Sequence, residues 1–142
     1  MKFKFKNYDV DLIIEDYEFK NIKNLEEDAN WLVVNVTYEN SDIKIIKKDS
    51  ALLISELIEL REWFFDIYNK KTVNSLNFVE NAMEFICCNN TIIVELCFNL
   101  SLYDTKSLDD ECCVATLHLN EKYLYKIVNE LDKYINKFPI RK

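Results

Sequence analysis

The chain of 142 residues has a length that suits one domain, which we expect to span residues 1–142. It contains no glycine, which excludes phosphate-binding loops, dinucleotide-binding fingerprints and the nucleophile elbow of α/β-hydrolases, because each needs glycine where the backbone turns sharply or lies close to a ligand. The net charge of −7 argues against binding to nucleic acid or to an anionic membrane surface.

The first third of the chain has the alternating pattern of half-buried β-strands. Hydrophobic residues alternate loosely over residues 3–19, and residues 31–39 place Leu32, Val34 and Val36 on one face. Residues 21–30 read as a polar connection, and residues 40–42 have turn composition. A further strand is therefore expected to begin near residue 42 and to run to about residue 54.

Two helices are predicted, over about residues 56–69 and 121–138. Each has apolar positions that recur with the 3.6-residue period of an amphipathic helix. Ser55 is expected to cap the first helix, with Glu56 in its first turn, and Asn120 is expected to cap the second. Pro139 ends the second helix.

The second half of the chain contributes a hairpin and one more strand. Asn89 and Asn90 suit a two-residue turn between strands over 76–88 and 91–102, and that turn pairs Glu84 with Glu95. Residues 111–119 form the last strand after an acidic loop. The whole pattern predicts an α+β fold in which two helices pack against a curved, predominantly antiparallel sheet of about six strands.

The five cysteines and the one histidine do not have the spacing of a metal site. Neighbours in each Cys-Cys pair point to opposite faces of a strand, and the CxxC spacing of zinc sites is missing, so we expect no metal and no cofactor. Cys87 falls on a continuous hydrophobic face and is expected in the core. A dyad of His118 with a cysteine on a neighbouring strand stays open as a catalytic alternative.

Acidic residues form the most distinctive polar feature. Residues 51–120 contain eleven acids and four bases, a net charge of −7. Glu84 and Glu95 face each other in the predicted hairpin, and like charges in this position destabilise a sheet unless another group compensates. A nearby lysine or a slipped register would explain the pair, as would a glycosidase-like carboxylate pair or an acidic surface for a cationic partner.

Several short segments, in their order along the chain, resemble the WapI-like immunity proteins. The resemblance runs from about Asp28 to Arg141, and Asn81 stands where the family pattern has a proline. The segments that carry it are Trp31 with its apolar strand, Glu56-Leu57 at the start of the first helix, Phe78-Val79-Glu80, and Phe138-Pro139-Ile140-Arg141.

The resemblance implies a bacterial protein that binds the toxin domain of a wall-associated polymorphic toxin and inhibits it stoichiometrically, without catalysis. Such toxins often carry nuclease domains directed at RNA, whose basic grooves would suit an acidic inhibitor. It also implies structural roles for Trp31, Glu80 and Arg141. The residues expected to bind the partner are Glu84, Glu95, Asp104, Asp109, Asp110 and Glu111.

The chain is expected to act in the cytoplasm, as a monomer when free. No secretory signal or membrane span is apparent, and an odd number of cysteines suits thiols in a reducing compartment. Two other classes of function stay open. One is a small enzyme that uses Glu84 and Glu95 or a Cys–His pair, and the other is a non-catalytic adaptor subunit with an exposed apolar patch.

Overall fold

The strands fall into two antiparallel sheets, which the first helix separates along the chain. A computed structural model of the protein describes residues 1–4, 9–21, 27–42, 44–80, 84–88, 91–96, 113–118 and 120–141, with the backbone alone at 91–96 and 113–118. The first sheet has the order β1 (Lys2–Lys4), β2 (Asp9–Tyr17), β3 (Trp31–Glu39) and β4 (Lys44–Leu53). The second has the order β5 (Leu76–Asn77), β6 (Glu84–Cys88), β7 (Thr91–Leu96) and β8 (Cys113–His118).

The α+β class is confirmed, although the strands are divided between two sheets where the sequence suggested one. Helix α1 (Ile54–Tyr68) follows β4 directly, and helix α2 (Glu121–Lys137) ends the fold. A short 3₁₀ helix, Glu27–Asn30, leads into β3. A helix of fifteen residues stands between β4 and β5, and the strands that follow it pair with one another in the second sheet.

The alternation along the first sheet is confirmed by burial. Leu32, Val34 and Val36 are all buried, as are Leu12 and Ile14 of the neighbouring strand β2. The same core cluster contains the apolar stripes of both helices. The stripe residues are Leu57, Leu60 and Phe64 of α1 and Leu124, Ile127, Val128 and Leu131 of α2. One face of the first sheet therefore carries both helices, and the opposite face points away from them.

The two helix caps differ from each other. Asn120 caps α2 as predicted, since its Oδ1 accepts a hydrogen bond from the backbone N–H of Tyr123 at 2.8 Å. The prediction for Ser55 was wrong, because α1 begins at Ile54 with Leu53 as its N-cap residue. The carboxylate of Glu56 takes over the capping role: it accepts from the backbone N–H of Leu53 at 2.8 Å.

Glu56 also joins the helix to the chain segment that follows it. Its side chain is only 6% exposed, and its second oxygen accepts from the backbone N–H of Val79 at 2.6 Å. The carboxylate is thus held by two backbone N–H donors at the N-terminal end of a helix. One side chain therefore links the end of β4, the start of α1 and the segment before β6.

A cluster of aromatic rings attaches the second sheet to α1. Phe85 of β6 is fully buried, and its ring makes edge contacts with Trp63, Phe64 and Phe78 at centroid distances of 5.9, 5.8 and 5.9 Å. Such arrangements add about 0.5–1.5 kcal/mol per pair beyond the burial of area. Phe85, which the sequence places on the hydrophobic face of the hairpin, is thus in contact with the helix.

The C-terminal segment is fixed to the first sheet through Arg141. Its guanidinium lies 3.5 Å from the ring centroid of Tyr17, and its backbone N–H donates to Oδ1 of Asn30 at 2.8 Å. The hydroxyl of Tyr17 in turn donates to the carbonyl oxygen of Pro139 at 2.5 Å. These contacts are structural, as the family resemblance implies for Arg141.

Removing the Glu56 carboxylate should destabilise the protein strongly. Glu56→Ala leaves two N–H donors without their charged acceptor, and we expect the free energy of unfolding to fall by about 3 kcal/mol in urea denaturation. Glu59→Ala is the matched control, because Glu59 is an exposed acid of the same helix, and its effect should stay within about 0.5 kcal/mol. Equal losses in the two variants would contradict the capping role.

Alkaline pH should weaken the contact between β1 and α2. The phenol of Tyr123 donates to the carbonyl oxygen of Lys2 at 2.5 Å, and burial raises the pKa of Tyr123 well above its usual value. Since the folded state holds the neutral phenol, its stability is complete below pH 10 and is lost as the pH rises further. Denaturation curves from pH 8 to 11 should show a smaller loss in Tyr123→Phe than in the wild type; an identical loss would contradict the assignment.

Candidate partner-binding site

The structure places Glu84 and Glu95 opposite each other, as the sequence predicted. Strands β6 and β7 pair in the predicted register, in which Glu84 lies across from Glu95 and Phe85 across from Val94. Phe85 turns into the core, so Glu84 on the alternate face turns away from α1 and is half-buried. The remaining predicted contact residues, Asp104, Asp109, Asp110 and Glu111, lie outside the described residues.

In the part of the chain that the structure describes, the cysteines and His118 lie within β-strands. Cys87 is half-buried and packs against the core cluster, as expected for a small hydrophobe. The residue across from His118 on the neighbouring strand is Thr91, and Cys88 pairs with Thr91 from the far side. The backbones of Cys88 and His118 are therefore two strand spacings apart, about 10 Å, and no cysteine lies directly across from the histidine.

The described residues show neither a metal-binding cluster nor a membrane-spanning helix. Among them, no group of three His, Cys, Asp or Glu side chains is placed to hold a metal ion. None of the helices within these ranges has the length and apolar character needed to span a membrane.

Two exposed hydrophobic residues on the outer face of the first sheet were not predicted from the sequence. Ile13 of β2 and Ile46 of β4 are 41% and 58% exposed, although each lies in a strand whose outward positions are otherwise mostly polar. The signal was present in the sequence as a break in the alternation, since Ile13 interrupts polar outward positions at Asp11 and Glu15. Hydrophobic side chains at such positions are candidates for contact with a partner.

A shallow cavity of about 260 Å³ opens on the same outer face. Its walls include three carboxylates, those of Asp9, Asp11 and Glu39, with Lys2 and Lys44 beside them. Neither Glu84 nor Glu95 contributes to this cavity.

A second groove, of about 540 Å³, lies between β1 and α2 and has the opposite charge. Its lysines are Lys2, Lys126, Lys133 and Lys137, against which stand two acids, Asp11 and Glu130. The acidity of the chain is therefore not uniform over its surface, because a basic groove adjoins the acidic cavity along β1.

Comparison with known protein families gives one match. The model of the family described as "Immunity protein WapI-like family" matches residues 3–139, which is nearly the whole chain. Comparisons with curated proteins and with solved structures give no match.

The facing carboxylates can be tested through hairpin stability. Replacing Glu95 by lysine puts opposite charges across the β6–β7 ladder, whereas Glu95→Gln only removes one charge. We expect Glu95→Lys to exceed Glu95→Gln in free energy of unfolding by about 0.2–1 kcal/mol at low salt, with a smaller gap in 1 M NaCl. If Glu95→Lys is no more stable than Glu95→Gln, the two side chains do not interact.

Proposed function

The chain belongs to the WapI-like immunity protein family, and from this premise we propose that it neutralises one cognate toxin domain by binding to it. The match of the family model to residues 3–139 carries the proposal. Inhibition would be stoichiometric: the protein would cover or distort the active site of the toxin and would catalyse nothing itself. It would need no cofactor and would act in the cytoplasm, as a monomer until it meets its partner.

The charge of the chain supports a basic partner. An acidic inhibitor of net charge −7 is attracted to a basic surface, which speeds association and disfavours wrong partners. A nuclease that cleaves RNA has a basic substrate groove, and we propose such a domain as the target. The inhibitor would then occupy the place of the nucleic acid without binding nucleic acid itself.

The acids of the hairpin and of the following loop are the proposed contacts. Glu84 and Glu95 lie across from each other in the β6–β7 register. The acidic loop, which follows β7 in sequence, adds Asp104, Asp109, Asp110 and Glu111. Six carboxylates in these two stretches could pair with lysine and arginine side chains of the toxin domain.

Co-expression tests the function itself. Cells that express the toxin domain encoded beside this gene should stop growing, and co-expression of the protein should restore growth. The purified pair should bind with one-to-one stoichiometry in isothermal titration calorimetry. A toxin that remains fully active at saturating inhibitor would contradict the proposal.

Charge reversal tests the proposed contacts. The variants Glu84→Lys/Glu95→Lys and Asp104→Lys/Asp109→Lys/Asp110→Lys/Glu111→Lys should each bind the toxin domain at least tenfold more weakly, mainly through slower association. Glu59→Lys/Glu62→Lys on α1 is the matched control, because it changes the same kind of exposed charge away from the hairpin. Wild-type affinity in both folded test variants would remove these residues from the interface.

A further inference from the structure

The outer face of the first sheet is the face that the helices leave uncovered. The pairing of β2, β3 and β4 places its side chains in rows across the strands. The rows are Asp9, Glu39 and Lys44, then Asp11, Thr37 and Ile46, then Ile13, Asn35 and Lys48. We call these nine residues the outer sheet face.

Two of the nine residues of the outer sheet face are exposed isoleucines. Ile13 and Ile46 belong to adjacent rows and lie on β2 and β4, separated by β3, so their Cα atoms are roughly 12 Å apart. Only the side chains of Thr37 and Asn35 stand between them on β3. Ile13 and Ile46 therefore present two separate exposed apolar side chains among polar neighbours, and a partner could cover both.

Three acids of the outer sheet face lie in the first two rows. Asp9 and Glu39 share a row, Asp11 follows in the next, and together they line the cavity of about 260 Å³. Lys44 lies 3.6 Å from Glu39 and compensates one of the three charges. The amino group of Met1 lies 3.5 Å from Asp11. The cavity has room for the end of a lysine or arginine side chain, and its carboxylates would accept hydrogen bonds from it.

The other end of the face is held in place by its own contacts. Glu15, the residue at the β2 bulge, forms an ion pair with Lys48 and accepts a hydrogen bond from Nδ2 of Asn35 at 2.9 Å. Two hydrogen bonds lower the pKa of Glu15 below its ordinary value. The bond from Lys48 has the larger effect, and the bond from Asn35 has the next largest. These side chains therefore present a fixed, charge-balanced border next to Ile13, which reduces the entropy that a partner must remove on binding.

We propose that the outer sheet face binds the toxin domain, with Ile13 and Ile46 against apolar side chains of the partner and the cavity of Asp9, Asp11 and Glu39 around one of its cationic side chains. This inference rests on the proposed function and adds a second contact surface to the acids proposed above. Charge complementarity selects the occupant, because the chain carries a net charge of −7 and the three acids of the cavity outnumber its two lysines. The basic groove along α2 then restricts the orientation of the toxin domain, because the lysines of the groove would repel a cationic surface of the toxin domain.

The apolar contact is tested with a variant that keeps the shape of the strand. Ile13→Thr/Ile46→Thr retains β-branched side chains and strand propensity while it removes apolar surface. Titration with the purified toxin domain encoded beside the gene should show at least a tenfold loss of affinity. The control is Val79→Thr, because Val79 is 68% exposed, is also β-branched and lies outside the first sheet. It should bind like the wild type.

The charged contact is tested through its salt dependence. Asp9→Asn/Glu39→Gln should slow association with the toxin domain about tenfold at low salt, and the difference from the wild type should shrink in 0.5 M NaCl. Glu59→Gln/Glu62→Gln removes the same two charges from α1 and should leave the rate within twofold of the wild type. Circular dichroism melting verifies that each variant is folded.

The outcomes separate this inference from the proposed function. Weaker binding by both outer-face variants, with unchanged controls, supports the surface. Wild-type affinity in both folded outer-face variants overturns the surface and leaves the function standing. If the wild type neither binds nor protects against the toxin, the proposed function fails, and with it this inference.

Discussion

A single buried carboxylate, that of Glu56, connects the parts of the molecule on which its surfaces depend. It closes the N-terminus of α1 through Leu53 and holds the segment before the second sheet through Val79. A buried charge is tolerated only when it is satisfied by hydrogen bonds, and here two backbone donors and a helix N-terminus satisfy it. Phe78 lies next to Val79, and its ring contacts the ring of Phe85. This contact helps to orient the hairpin against α1.

Local patterns in the sequence predicted what depends on local physics. The alternation at 31–39 predicted strand β3 with its observed bounds, and the Asn-Asn pair predicted the hairpin register residue by residue. The cap of α1 was mistaken because a serine before a helix is the common solution, whereas the actual acceptor is a glutamate three residues after the N-cap that also binds Val79. The periodicity of the sequence does not reveal the second hydrogen bond, between Glu56 and the distant Val79. The division into two sheets was missed for the same reason, since strand order depends on contacts between remote segments.

One part of the candidate site was likewise predicted from the sequence, and another part was not. Strand parity predicted that Glu84 and Glu95 face each other, and the backbone register confirms it. The outer sheet face was not predicted, because outward positions of a half-buried strand are ordinarily assigned to solvent. Ile13 and Ile46 gain meaning only when the register places them on one face, beside the carboxylates of Asp9 and Glu39. Family membership indicates the class of function and leaves the surface to be found by such geometry.

The most direct test of whether the outer sheet face binds the toxin domain is a methyl NMR titration of isoleucine-labelled protein with the purified toxin domain. Isoleucine methyl groups sample the outer sheet face at Ile13 and Ile46, the core at Ile127 and the hairpin at Ile86. The account predicts that the signals of Ile13 and Ile46 shift or broaden in proportion to added toxin and saturate at one equivalent, while Ile127 is unchanged. Saturable binding that leaves both Ile13 and Ile46 unperturbed would contradict it.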